Sequence, residues 1–134
     1  MSPHESLIRS LLAAVADGTM LDDPMRYWHP EARQIEYPSL LRPAGHTREL
    51  DGILAGAEAG RGMLREQRYD VHSVIAQGDR VAVQFTWHGV LGAGMAGMPD
   101  GSELTAHVAA FYEIADGRIL TQASYDCYEP LPVA

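Results

Sequence analysis

Residues 104–130 read LTAHVAAFYEIADGRILTQASYDCYEP, and this stretch decides the architecture. Apolar and polar side chains alternate with period two on both sides of Asp116-Gly117, a dipeptide suited to a two-residue hairpin turn because both positions need positive φ. Two long antiparallel strands, 104–115 and 119–128, follow from it. A tight turn pairs Ala115 with Arg118 and Ile114 with Ile119, and continuing that register puts His107 opposite Asp126. Directly opposed residues share a sheet face with Cβ atoms ~4.5–5.5 Å apart, within reach of an imidazole–carboxylate hydrogen bond. Phe111, Gln122 and Ser124 are expected on that same face.

Upstream, the same alternation predicts strands over 69–76 and 81–90, separated by Gly78-Asp79. The loop GAGMAGMPDG, residues 92–101, is too rich in glycine to hold a strand and reads as a flexible rim. The N-terminal half follows the helical period instead. Ser2-Pro3-His4-Glu5 is a capping box with proline at the first helical position, and Leu7, Leu11, Leu12 and Val15 then recur at helical spacing to about Asp17. Asp23-Pro24 repeats the start signal for a short second helix over 25–28, closed before Pro30. Residues 32–37 form a short extended run stopped by Pro38. A third helix is expected over 47–60, where Gly52 and Gly56 each cost ~1 kcal/mol against Ala and allow close packing on a sheet. Three helices followed by an antiparallel meander make an α+β fold.

With 134 residues, 46% of them hydrophobic, the composition predicts one domain over 1–134 with one core. A net charge of −8 repels polyphosphate and argues against nucleic acid as a partner. All ten Lys/Arg positions are Arg, which reflects either codon bias, the reading we favour, or a preference for planar, carboxylate-pairing cations. The lone Cys127 rules out an internal disulfide, no Cys/His cluster has zinc-ligand spacing, and a reducing cytoplasm fits. The opening MSPHESLIRSLLAAVADG lacks a basic start and a small-residue cleavage site, so neither signal peptide nor membrane span is expected.

The stretches YWHPEARQIEYPS (27–39), GDRVAVQFTWHG (78–89) and DGRILTQASYDCYEP (116–130) resemble the SnoaL-like family of the nuclear transport factor 2-like superfamily. The resemblance implies a cone-shaped barrel: three helices on a strongly curved, mainly antiparallel sheet that encloses an apolar pocket. Members of the superfamily include ketosteroid isomerases, polyketide cyclases, limonene epoxide hydrolases, dehydratases and pure binding or assembly modules, so the container does not name the reaction.

In SnoaL-like cyclases the resemblance implies an aspartate on the last strand acting as acid/base, assisted by a histidine on the neighbouring strand. Asp126 and His107 are the matching positions. Burial among Phe111, Trp87 and Tyr112 lifts an aspartate above its ordinary ~3.9 and makes it a better base for a carbon acid. Trp87 lies on the stripe Val81, Val83, Phe85, Trp87, which lines the pocket in related barrels, while His88 alternates away. Tyr37 stands before Pro38 where ketosteroid isomerases carry their base. Leu11 and Ala110 take the places of two further isomerase residues, and the last strands offer only Arg118, in the turn, toward the arginine of an epoxide hydrolase. Those two chemistries are disfavoured. Glu36 alternates opposite Tyr37, toward solvent. Trp28, with Tyr27 and His29, closes the pocket mouth or staples elements together. Tyr69 and His72 read as structural, and Cys127 as facing the outer layer.

The expected function is a cyclase or isomerase that needs no metal or other cofactor. Asp126 abstracts a proton from a small hydrophobic carbonyl compound, and His107 or Tyr37 stabilises the enolate oxygen. Trp87, Phe85, Phe111, Gln122, Ser124, Tyr112 and Trp28 contact the substrate. The rivals are a non-catalytic small-molecule binding module and a protein-interaction module using the outer sheet face. A homodimer through the sheet is implied by the resemblance and agrees with apolar alternation on both faces of the last strands.

Overall fold

Ser2 caps helix α1, Pro3–Asp17. The Ser2 hydroxyl accepts the Glu5 amide at 3.1 Å, Pro3 sits in the first turn, and Gly18 closes the helix with φ of 83°, a conformation that favours glycine. Ile8, Leu11, Leu12 and Ala14 are buried along the face so generated. A computed structural model describes residues 1–92 and 97–132 of the chain. Residues 93–96, the centre of the loop read as a rim, lie outside the described residues.

The expected second α-helix is instead a pair of 3-10 turns, Thr19–Asp22 and Pro24–Arg26. Too few residues separate Asp23 from the next strand to close a series of α-helical hydrogen bonds, and the tighter turn is what fits. Strand β1, Trp28–Glu36, begins earlier than 32, and the register with its neighbour breaks between Trp28 and Arg33. Pro30, which has no amide to donate, falls inside that irregular stretch. The start of the expected third helix is also strand: β2, His46–Glu49, pairs antiparallel with β1, and helix α2 runs only over Leu50–Met63. The open edge of β1 offers residues 46–49 ladder hydrogen bonds that outweigh their helical pattern.

The remaining strands are β3 (Leu64–Gln77), β4 (Arg80–Leu91), β5 (Glu103–Ala115) and β6 (Arg118–Tyr128). They complete a six-stranded sheet of order β2-β1-β6-β5-β4-β3, in which β1 and β6 are parallel and the other pairs antiparallel. The sheet is not the closed barrel expected: β2 and β3 are its free edges, and α1 packs against β3 and α2 against β1 over one face. Burying the apolar stripes of two helices covers that face without any ladder between the edges. The main core lies there, and includes Ile8, Trp28, Ile53, Val83, Ala110 and Ile119. Among the described residues no helix is long and apolar enough to cross a membrane.

The β5–β6 hairpin starts as the sequence predicts. Asp116 and Gly117 have φ of 55° and 73°, and Ala115 pairs with Arg118 and Ile114 with Ile119. The next pair is Glu113 with Thr121, so Leu120 is an extra residue on β6. Beyond this bulge the register is one residue away from expectation: Val108 faces Asp126, and His107 faces Cys127. Because side chains alternate, one residue of slip turns each of them over. Gln122, Ser124 and Asp126 thereby join Val108, Ala110 and Tyr112 on the inner face, and His107 and Phe111 are left outside.

Candidate functional site

Between the inner sheet face and the helices lies a cavity of about 280 Å³. Much of its wall is apolar, from Leu11, Leu12, Met20, Ile53, Phe85 and Val108, and the polar groups come from cross-strand rows of the sheet. Arg48, Gln34, Gln122 and Tyr112 form one row, Glu36 and Ser124 the next, and Asp126 lies opposite Val108 in the third. Tyr69, Trp87, Ala106 and Tyr128 make a largely aromatic fourth.

Burial, and secondarily the negative charge of Glu36, pushes the Asp126 carboxyl up to about 6. This is a carboxylate that ionises near neutrality. Burial also drives the phenols of Tyr69, Tyr112 and Tyr128 far above the usual range, with the Asp126 charge contributing to each. They remain O–H donors around a base. Glu36 is held by Arg48, whose Nη1 donates to its Oε1 at 3.3 Å, and by Arg42 at 3.6 Å. Arg48 Nη1 also donates to Gln34 Oε1 at 3.3 Å, and Gln34 Nε2 to Gln122 Oε1 at 3.0 Å. Trp87 Nε1 donates to Gln67 Oε1 at 2.9 Å, and its ring lies over Gly89, where a Cβ would collide with it. Trp28 is buried, and its indole N–H is without a partner among the described residues, an omission that costs ~1–3 kcal/mol in a folded protein.

Of the residues expected at the site, Asp126, Trp87, Phe85, Gln122, Ser124, Tyr112 and Trp28 line the cavity. His107, Tyr37 and Phe111 do not. His107 is on the outer face, where its Nε2 meets Glu129 at 2.8 Å and its Nδ1 lies 3.4 Å from Thr86 Oγ1. Tyr37 stacks on Tyr125 with ring centroids 4.5 Å apart, also outside, and Phe111 packs edge-on against the same Tyr125. The pairing of His107 with Asp126 is therefore corrected by the Leu120 bulge. Glu36, expected toward solvent, faces the cavity, and Tyr69, read as structural, lines it. Arg48, Gln34, Gln67 and Tyr128 join them without having been anticipated. A signal for the correction exists in β5 itself. Leu104, Ala106, Val108, Ala110, Tyr112 and Ile114 make its even-numbered face almost wholly apolar and buried, which leaves His107 on the other side.

Among the described residues no group of three or more His, Cys, Asp or Glu side chains is placed to hold a metal ion. What the arrangement can do is move a proton: a half-buried carboxylate poised near neutrality shares a largely apolar cavity with hydroxyl, amide and guanidinium donors.

The sequence matches the SnoaL-like domain family over residues 8–122. Solved structures of the same fold include IdmH, a candidate polyketide cyclase from Streptomyces antibioticus, at TM-score 0.77 and 21% identity over 94% of this chain and 92% of that one. AclR, a candidate hydroxylase from Streptomyces galilaeus, has TM-score 0.72 and 18% identity, covering 92% and 87% of the two chains. An NTF2-like protein of unknown function from Burkholderia pseudomallei has TM-score 0.74 and 19% identity, covering 94% and 92%. At these identities the likeness is one of fold. No curated protein matches the chain at a significant level.

Proposed function

The chain belongs to the SnoaL-like domain family, and from that premise we propose that it is a cofactor-free cyclase or isomerase acting by acid/base chemistry on a small hydrophobic carbonyl compound. The observation that carries this reading is Asp126, a carboxylate raised to about 6 by burial inside an otherwise largely apolar cavity. A base whose pKa lies near the working pH combines a large ionised fraction with useful proton affinity. The Asp126 carboxylate takes a proton from the carbon next to the carbonyl, and the electron pair moves onto the carbonyl oxygen. Protonated Tyr69, Tyr112 or Tyr128 and the Gln122 amide supply donors for the resulting enolate. Returning the proton to a different carbon is an isomerisation. Attack of the enolate carbon on a second carbonyl of the same molecule, with the carboxyl protonating the new alkoxide, is a cyclisation. His107 and Tyr37 take no part, because both lie on the far side of the sheet.

The test needs no natural substrate. With a small apolar ketone such as 2-tetralone in D₂O, NMR should show the protein accelerating deuterium uptake at the α-carbon. The rate should rise with pH through about 6, as Asp126 ionises, and then level off. Exchange no faster than in buffer across a panel of such ketones would refute the proposal.

The partner reading concerns the outer face. Ile75, Phe111, Tyr125 and Tyr37 are exposed there at 65%, 49%, 46% and 39%, and Ile75, Ala82, Phe111, Ala123 and Ile35 run as one cross-strand row. An apolar patch of this kind marks an interaction surface, and we assign it to a second copy of the chain. Sedimentation of the wild-type protein should give a dimer, and Phe111→Asp a monomer with an unchanged cavity; a wild-type monomer would remove this assignment. The exposed free thiol of Cys127 suits a reducing cytoplasm.

A further inference from the structure

Arg48 has no part in the proton transfer just described, yet two glycines of α2 lie against it. It is only 13% exposed, and its guanidinium passes beneath α2. A Cβ on Gly56 would come within 2.6 Å of its Nη1 and 2.9 Å of its Cζ, and one on Gly52 within 3.2 Å of its Cβ. Each glycine weakens the helix by ~1 kcal/mol against alanine. What the pair makes room for is a cation at the wall of a largely apolar cavity.

An arginine only donates hydrogen bonds, so the Gln34 amide must turn its oxygen toward Arg48. That leaves Gln34 its NH₂ group, which donates to the oxygen of Gln122. The relay ends on Gln122 Nε2, a donor with no partner among the described residues, on the cavity wall and on the same face of β6 as Asp126. Remove the cation and nothing in the row dictates which way either amide points.

The local charges agree with this reading. Glu36 is paired with both Arg48 and Arg42, and Arg61 at the cavity wall is paired with Glu58 at 2.8 Å. Once Asp126 has taken a proton, the corner carries one positive charge in excess. That is the charge an enolate oxygen offsets.

The geometry points to Arg48 as a positioning residue that, through Gln34, fixes Gln122 as the donor to the substrate oxygen, and so to a substrate class of apolar ketones or esters whose oxygen becomes anionic beside Asp126. This inference rests on the proton-transfer reading of the cavity. Asp126→Asn freezes the neutral state of that side chain, so binding can be measured without turnover. The probes are 2-naphthoate, which carries the anionic oxygen, and 2-methylnaphthalene, which lacks it.

Near pH 8, Asp126→Asn should bind 2-naphthoate about tenfold tighter than wild type, with the hydrocarbon changed less than about twofold. Adding Arg48→Met should cancel the gain for naphthoate and spare the hydrocarbon, whereas Arg48→Lys should keep most of it. If Arg48→Met loses both probes through misfolding, Gln122→Leu in the Asp126→Asn background takes its place and should weaken naphthoate alone. Naphthoate affinity untouched by Arg48→Met, or by Gln122→Leu where that variant stands in, overturns the inference. The probe pattern without ketone exchange by the wild type would instead overturn the proton-transfer reading and leave the oxyanion corner standing.

Discussion

Replacing Asp126 with Asn lowers the rate of α-proton exchange by about 10²–10⁴-fold, the range expected for loss of a positioned general base, and at the same time stabilises the fold at neutral pH. Both effects have one cause. The carboxyl is pushed from its ordinary 3.8 to about 6, first by burial and then by the charge of Glu36. The folded state therefore holds this proton more tightly than the unfolded chain does. Stability from this group is fully present below pH 3.8, is lost as pH rises toward about 6, and above that the ionised side chain costs roughly 2–3 kcal/mol. Asn cannot ionise and escapes this cost. Urea denaturation should show Asp126→Asn more stable than wild type by about 2 kcal/mol near pH 8 and nearly equal to it near pH 4. A variant destabilised equally at both pH values would mean that Asp126 is a structural acceptor, and the assignment of a base would fall with it.

Deleting Leu120 together with Thr121 should be among the most damaging changes in the sheet, costing about 4–5 kcal/mol or abolishing cooperative unfolding altogether. Leu120 is the unpaired residue of the β6 bulge, so its loss alone leaves Ile119 opposite Ile114 and Thr121 opposite Glu113 and keeps Gln122, Ser124 and Asp126 facing the helices. Without Thr121 as well the strand has two choices. It can keep Ile114 opposite Ile119 and the Asp116-Gly117 turn, which puts Gln122 opposite Glu113, sends Gln122, Ser124 and Asp126 outward and drives Tyr125 and Cys127 into the helix-covered core. Or it can keep the inner face and disturb the hairpin at Ile119, a side chain that is 0% exposed. Deletion of Leu120 alone is the control and should unfold close to wild type. Thermal unfolding followed by near-ultraviolet circular dichroism separates these outcomes. A double-deletion variant that melts with the wild type would show that the spacing between Ile119 and Gln122 does not set the register.

The elements most legible in the sequence are those written in neighbouring residues. Ser2 and Pro3 start α1 as read, although the Glu5 carboxylate pairs with Arg9, and the Asp116-Gly117 turn has the two positive φ values its residues demand. The stripe Val81, Val83, Phe85, Trp87 does face inward, since alternation along one strand needs no knowledge of its partner. The errors arise where two segments distant in sequence compete. Residues 46–49 carry a helical pattern, but the edge of β1 draws them into the sheet. Glu36 and Tyr37 differ by one position, and the larger aromatic was expected inside. Tyr37 instead meets Tyr125 outside, while Arg48 on β2 and Arg42 hold Glu36.

Residues 104–130 therefore encode two strands, the turn between them and the pairing nearest that turn, because φ preferences and period-two alternation act over a few residues. Which face of β6 looks inward is not encoded there. It is decided by the extra residue at Leu120, tolerated because it lets Ile119 and the row from Gln122 to Asp126 both face the helices, a gain that exists only once α1 and α2 cover the sheet. That decision takes His107 away from Asp126 and gives Asp126 the company of Glu36 and of the Tyr69, Tyr112 and Tyr128 phenols instead. Asp126 is visible in the sequence as a candidate base. Its raised pKa comes from burial and from the charge of Glu36 on β1, tens of residues away, and only the folded sheet brings them together.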